Sequence, residues 1–330
     1  MIETVNPEIK KYTDLLISRK YDPTVTPSQD QVIFTIQEKI IGTVQNFVIL
    51  TGLPKAGKST FLSALISSIF TPSDTFGMKL RFPEGRRQIA YFDTESSDYD
   101  FYRQVGRIRS FAGINGIPDW CSLYTVREDN PKEIRGMIET YLQTTNSPIV
   151  IIDGLLDLIF DYNNEVESRK LVNWFKRLTK QYQCLIIGVL HQGKGQAQTT
   201  LGHLGSNTDR WAQSTLEIIK DKEKNTFTMQ SRFLRSSDDF NPVVLINAAG
   251  QWVQIDYESN TINKGSKKVS ELEDKQLLNS CLFRPLQYKD LLNEVVEKTA
   301  KGSSAAKKII KQWIEKQWIE KKENIYHIKN

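Results

Sequence analysis

Apolar residues fall along this chain in two alternating rhythms. Short continuous runs, FVIL at 47–50, QIAYFD at 88–93, IVIID at 149–153 and LIIGVL at 185–190, are separated by stretches in which apolar positions recur at helical spacing. The runs fit strands buried on both faces, and the stretches between them fit amphipathic helices. Their alternation predicts an α/β fold, a mainly parallel sheet flanked by helices. Three further β-rich runs, TLEII, TFTMQ and PVVLIN, carry this region to about residue 255.

Ahead of that region, PEIKKYTDLLISRK at 7–20 places Ile9, Tyr12, Leu15 and Leu16 on one face of a short helix, and the turn-rich YDPTVTPSQD behind it reads as a leash. Beyond it, the polar SNTINKGSKKVS at 259–270 reads as a linker. From Glu271 onward Leu277, Leu278, Leu291, Leu292, Val295, Val296, Ile309, Ile310, Trp313 and Ile314 recur at helical spacing, and the last segment alternates as a β-hairpin does. The predicted organisation is an N-terminal helix and leash over 1–28, an α/β core over 29–258, a linker over 259–270 and a small α+β unit over 271–330.

The 330 residues are 39% hydrophobic and 25% charged, which excludes a fibrous or wholly disordered chain and suffices for a full core with a small second unit. No apolar run approaches the roughly 18 residues of a membrane helix, and MIETVNPEIKK has no apolar signal core. The expectation is a soluble, cytoplasmic protein with no membrane partner. Cys121, Cys184 and Cys281 lack paired metal-ligand spacing and read as reduced thiols, with no disulfide and no zinc. The net charge of +5 is uneven: residues 264–330 carry 15 Lys or Arg against 9 Asp or Glu, and the rest of the chain is close to neutral. That asymmetry fits an anionic partner, nucleic acid or a membrane surface, or else a solvated Lys-rich helical face.

The chemistry begins at GLPKAGKST, residues 52–60, set between the strand FVILT and the helical TFLSALISSIF. This is the phosphate-binding loop pattern in the strand-to-helix context it requires. The backbone of Gly52, Leu53, Pro54, Lys55, Ala56, Gly57, Lys58, Ser59 and Thr60 forms the cradle, with Gly52 and Gly57 allowing the turn. Lys58 can reach the β and γ phosphates, and the Ser59 hydroxyl can ligate Mg²⁺. SPIVIIDG supplies the second metal-side carboxylate, Asp153, at the C-terminal edge of a buried strand. Asp157, one turn further on, is a second choice, and the bland alternative for Asp153 is a strand-end cap.

The run QIAYFD leads into Asp93-Thr94-Glu95. In a triphosphatase that attacks with water, Asp93 and Glu95 fit the water-positioning role equally well on these grounds, with Asp93 alternatively capping the turn. The strand CLIIGVL ends at His191-Gln192 ahead of GKGQAQTTLGHLGS. A polar strand tip at the γ-phosphate with a flexible loop behind it makes a sensor, although a strand-end His taken alone fits a structural role as well.

The order of these motifs resembles the RecA-like ATPases and, more narrowly, the RepA-type hexameric helicases of plasmids and mobile elements. The stretches that carry the resemblance are LTGLPKAGKST, YFDTESSDYD, IVIIDGLLDL, VLHQGKG and LGHLGSNTDRWAQSTLEI, spanning about residues 30 to 255. The resemblance implies ATP and Mg²⁺ as cofactors, Glu95 orienting the attacking water, and Asp153 holding the Mg²⁺-bound water. It also implies that His191 couples the γ-phosphate to a loop facing single-stranded DNA in a ring channel. Such sites lie between subunits, and Arg232 and Arg235 in TFTMQSRFLRSSDD are the candidates for the neighbour's cationic finger, unless one pairs with Asp238 or Asp239. The family usually shows a Lys and an Arg there, whereas this chain has two arginines.

Between Gln192 and Ser206 the channel loop carries just Lys194 and His203 as basic groups, and the other channel loop, DYNNEVE at 161–167, is acidic. The C-terminal unit resembles a winged helix, with Ser303 or Ser304 capping its third helix and Lys307, Lys308 and Lys311 on the exposed face, placed for DNA phosphates or idle on a protein-docking module. The leading expectation is an ATP-hydrolysing, ring-forming DNA motor working as a homo-oligomer. A nucleotide-switched DNA-binding regulator or loader is the alternative. A small-molecule kinase is disfavoured because no Arg-rich lid is evident.

Overall fold

The computed structural model describes residues 6–26, 29–193, 202–248, 250–257, 274, 277–282, 284–299 and 302–329. The chain divides into two units, Met1–Gln31 and Val32–Asn330. In the first, helix α1 (Pro7–Arg19) starts at Asn6, whose side chain accepts from Glu8 N, with Pro7 in the first turn. Its expected apolar face is present but unpacked: Ile9, Tyr12 and Leu16 are exposed and no residue of the helix is buried.

The second unit is built on a nine-stranded sheet in the order β12-β11-β10-β9-β3-β8-β7-β5-β6. Its parallel part comprises β3 (Phe47–Gly52), β5 (Ile89–Asp93), β6 (Cys121–Thr125), β7 (Ile149–Asp153), β8 (Leu185–His191) and β9 (Ser214–Asp221). The strands β10 (Thr226–Leu234), β11 (Val243–Ala248) and β12 (Gln251–Ile255) continue it in antiparallel fashion. This is the α/β arrangement, a mainly parallel sheet flanked by helices, that the alternating pattern predicts, and it is RecA-like as the motif resemblance implies. Because side chains alternate along a strand, each continuous apolar run feeds two cores. Val48, Leu50, Tyr91 and Ile151 pack with α2 (Lys58–Ser67) and α3 (Asp98–Ala112). Phe47, Ile49, Phe92 and Ile152 pack with α4 (Pro131–Thr145) and α5 (Glu165–Tyr182) on the other face.

One arginine ties the ends of two of these helices together. Arg86 donates to Asn146 O, Tyr182 O and Gln183 O at 2.6–3.0 Å, satisfying carbonyls at the C-terminal ends of α4 and α5 where the helix dipole favours a cation. All three cysteines are buried free thiols, and burial pushes Cys121 and Cys184 up to about 12.

Several elements go beyond the sequence reading. A small antiparallel sheet joins β1 (Val32–Ile36), β2 (Lys39–Thr43) and β4 (Met78–Leu80). The β1–β2 turn is made by Gln37 and Glu38, both with positive φ, so it lacks the Asn-Gly or Asp-Gly signal of such hairpins. The supposed flexible loop up to Ser206 is helical from Gly202: α6 (Gly202–Trp211) buries Leu204 and Thr208 and docks through Leu204 N on Tyr162 O, which places His203 on a helix.

The small C-terminal domain has helical residues 277–281, α7 (Tyr288–Thr299), α8 (Ser303–Glu315) and an antiparallel sheet β13-β15-β14. The last two strands are β14 (Ile319–Lys322) and β15 (Ile325–Ile328), and β13 is Leu286–Gln287. Leu278, Leu291, Val295, Ile310 and Trp313 form its core, whereas Ile314, expected there, is exposed. Neither Ser303 nor Ser304 caps α8. The N-cap is Gly302, one residue earlier, with no side-chain cap bond. The linker 259–270 lies outside the described residues. Among those residues no helix is long and apolar enough to cross a membrane.

Candidate functional site

The parallel register brings four strand ends to one edge. Gly52 stands level with His191 and with Ile218, and Asp93 stands level with Asp153. At the end of β3 the chain turns through Leu53–Gly57 into α2. Gly57 has φ +97°, and a Cβ there would lie 2.7 Å from the Phe227 ring; a Cβ on Gly52 would lie 2.4 Å from Ile218 O. Both positions therefore demand glycine. Lys58 folds back over the loop and donates to Gly52 O and Leu53 O at 3.1 and 2.9 Å. Burial pulls its pKa down, opposed by the charges of Asp153 and Glu95.

Facing this loop is a buried acidic cluster. Ser59 Oγ donates to Asp153 Oδ2 at 3.4 Å, and Tyr91 OH lies 3.1 Å from both Asp153 Oδ2 and Asp93 Oδ2. Asp93 Oδ1 accepts from Glu95 N and Ser96 N, so this carboxylate caps the turn after β5. Asp157 is engaged by Thr94 Oγ1 at 2.6 Å. Burial, followed by the charges of Asp93 and Glu95, raises Asp153 to about 7. Glu95 points outward and is half-exposed, and its Oε1 lies 2.8 Å from His191 Nε2. That bond holds its pKa below the ordinary value. His191 Nδ1 is buried without a hydrogen-bond partner among the described residues.

The next residue leads away from the loop. Gln192 Nε2 donates to Glu217 Oε1 at 2.6 Å on β9, and Gln230 Nε2 of β10 donates to the other oxygen at 3.0 Å. Strand β10 also carries Arg232, and Arg235 follows its last residue. Arg232 sits in the bulge between Ser231 and Phe233 and lies 3.9 Å from Asp209, while Arg235 is exposed and bonds Arg210 O at the end of α6. Their ends of β10 pair with Ser214 and Thr215, and Ser214 stands level with Val48. For the Arg235 end that is four residues, roughly 13 Å, back along the sheet from Gly52, and for the Arg232 bulge, between the levels of Leu216 and Thr215, two to three residues.

Of the remaining candidates, His203 is exposed in the first turn of α6, Lys307, Lys308 and Lys311 are exposed on α8, and Lys194 lies outside the described residues. The sequence reading passed over Tyr91, Gln104 and Glu217. The signal for Tyr91 was its spacing: it stands two residues before Asp93 and therefore on the same face of the strand.

The donor set fits a nucleotide with its cation. A glycine-dependent loop with a buried lysine faces a serine hydroxyl and a carboxylate whose pKa is raised by burial and then by the carboxylates beside it. Fold and site together define a P-loop ATPase. A family model described as an AAA domain matches residues 22–197, more than half of the chain, and the chain belongs to that family. No curated protein matches the sequence.

The buried carboxylate makes stability depend on pH. Between the ordinary Asp value of 3.8 and about 7 the folded chain keeps a proton that the unfolded chain releases, so Asp153 lowers stability as pH rises through that window. Without divalent metal, Asp153→Asn is expected to be more stable than the parent at pH 8 by about 4 kcal/mol. The difference should shrink to nothing near pH 4, as read by denaturant unfolding across pH. A constant difference at every pH would contradict the assignment.

Proposed function

We propose that this protein is an ATP-hydrolysing, ring-forming DNA motor of the RepA helicase type, from a plasmid, phage or mobile element, acting in the cytoplasm. In this reading the loop 52–60 and Lys58 hold the β and γ phosphates of ATP, and Ser59 and Asp153 hold Mg²⁺. The cation, when bound, offsets charge developing on the phosphates. Asp93 is committed to its turn, which leaves Glu95 to orient water and accept its proton, kept ionised by His191.

The observation that carries the reading is the 2.8 Å contact between Glu95 and His191. It ties the water-orienting group to β8, and β8 runs directly into Gln192 and the Gly-rich stretch that would meet single-stranded DNA. The position of Arg235, exposed just beyond the end of β10 and about four residues back along the sheet from Gly52, supports action in trans. Arg235 is the better finger, being exposed, while Arg232 lies beside Asp209. Composite sites of this kind close a homo-oligomeric ring, a hexamer in the RepA type. The small C-terminal domain is winged-helix-like, and Lys307, Lys308 and Lys311 on α8 would meet DNA phosphates, with Lys194 and His203 on the channel side.

A second reading, an ATP-switched DNA-binding regulator or loader that separates no strands, is favoured by one observation. The turn on which α6 docks carries Asp161, and Glu165 and Glu167 follow it, an acidic surround unsuited to gripping a phosphate backbone.

Three outcomes test these assignments. Glu95→Gln should bind ATP as the parent does and lose about 10²-fold or more in phosphate release, while the parent's rate should rise with single-stranded DNA. A parent rate indifferent to DNA favours the regulator. Mixing Lys58→Ala subunits with Arg232→Ala/Arg235→Ala subunits should recover part of the ATPase rate, because one intact loop then meets one intact finger; no recovery in confirmed mixed assemblies would reject trans action. Changing Lys307, Lys308 and Lys311 to Ala should weaken DNA binding and flatten its log–log salt slope by about 0.7 to 0.9 per lost contact, leaving basal hydrolysis intact. Parallel salt slopes would mark α8 as a solvated or protein-docking face.

A further inference from the structure

Strand β5 places Tyr91 and Asp93 on one face, and the register sets Asp93 beside Asp153. The Tyr91 hydroxyl is fully buried and accepts a hydrogen bond from Gln104 Nε2 at 2.7 Å, so its own hydrogen is directed at the carboxylates. It lies 3.1 Å from Asp93 Oδ2 and 3.1 Å from Asp153 Oδ2. Asp93 already has two backbone donors on its other oxygen. Asp153 has the more distant Ser59 hydroxyl, at 3.4 Å and on the same oxygen that Tyr91 approaches. The phenol therefore fixes which Asp153 oxygen is occupied and leaves Oδ1, which no hydrogen bond reaches among the described residues, for a hydrated cation. The ring itself is clasped by α3, with Phe101 stacked on it at 6.3 Å and 2° and Gln104 one turn on.

We propose that Tyr91 is a positioning residue for the divalent cation, holding the Asp153 carboxylate in its metal-binding orientation, with Gln104 setting the direction of the phenol. The proposal rests on the reading of Asp153 as a metal residue. A partner that orients a metal-binding carboxylate costs about 10- to 100-fold in metal affinity when removed. Tyr91→Phe keeps the ring and removes only the hydroxyl. Gln104→Leu keeps the hydroxyl but frees it to turn.

The test uses the full chain with a non-hydrolysable ATP analogue and Mn²⁺ as the probe, its binding read by electron paramagnetic resonance. Tyr91→Phe should weaken Mn²⁺ about tenfold or more, and Gln104→Leu should weaken it by less but in the same direction. The Mg²⁺ concentration for half-maximal phosphate release should rise by the same factor in each variant, with turnover recovering at high Mg²⁺ and metal-free nucleotide affinity unchanged. A purely structural tyrosine predicts lowered thermal stability with unchanged Mn²⁺ affinity, and that result overturns the proposal. If Tyr91→Phe does not fold, the Gln104→Leu titration decides, unchanged Mn²⁺ affinity again overturning it. Asp153→Asn in the same titration separates the two assignments. A loss there without a loss in Tyr91→Phe or Gln104→Leu rejects the role of Tyr91 alone, whereas no loss in any variant rejects the metal site itself.

Discussion

Parallel pairing in register is the constraint from which the rest of this molecule follows. Because Asp93 and Asp153 end adjacent strands at the same level, two carboxylates are forced together in a buried place, with Glu95 two residues away and Lys58 opposite. Like charges at that range with little water between them repel strongly. The surroundings answer with specific devices. Backbone N–H groups and a phenol take up Asp93, a serine and the same phenol take up Asp153, and a histidine takes up Glu95. A bound cation would offset the charge that these devices leave.

The same constraint separates stability from function. Burial of Lys58 and Asp153 disfavours the charged form of both side chains, so the metal-free fold carries a local cost that nucleotide and cation are suited to offset. The core around the site is able to carry it. The strands β3, β5 and β7 are buried along their whole length, and helices cover both faces of the sheet. The glycines of the loop add a geometric condition, because Gly57 rests on Phe227 and Gly52 on Ile218 O, which fixes the loop against β9 and β10.

Hydrogen bonds also lead out of the site. Glu95 meets His191, the next residue Gln192 meets Glu217, and Glu217 meets Gln230 on the strand that carries Arg232 and leads into Arg235. A chain of adjacent polar contacts is the kind of path by which a change at one end alters the other, and measured coupling between its members would make it a mechanism. Its middle member, Glu217, has no motif around it and gains its place through the register of three strands.

The sequence by itself determined the α/β alternation, the seven strands it marks, the phosphate loop with its obligatory glycines, and the strand ends Asp93, Asp153 and His191. All of these depend on local pattern: period, run length, or a motif between a strand and a helix. It left Asp93 and Glu95 equal in role on local grounds, took the start of α6 for loop, and missed the hairpin turned by Gln37 and Glu38. Only the tertiary structure decided that Asp93 is spent on a turn, that Tyr91 and Gln104 stand behind Asp153, and that Arg235 lies about four residues back along the sheet from Gly52. Those facts depend on which strand lies beside which and at what level, relations between residues distant along the chain that hydrophobic period does not encode.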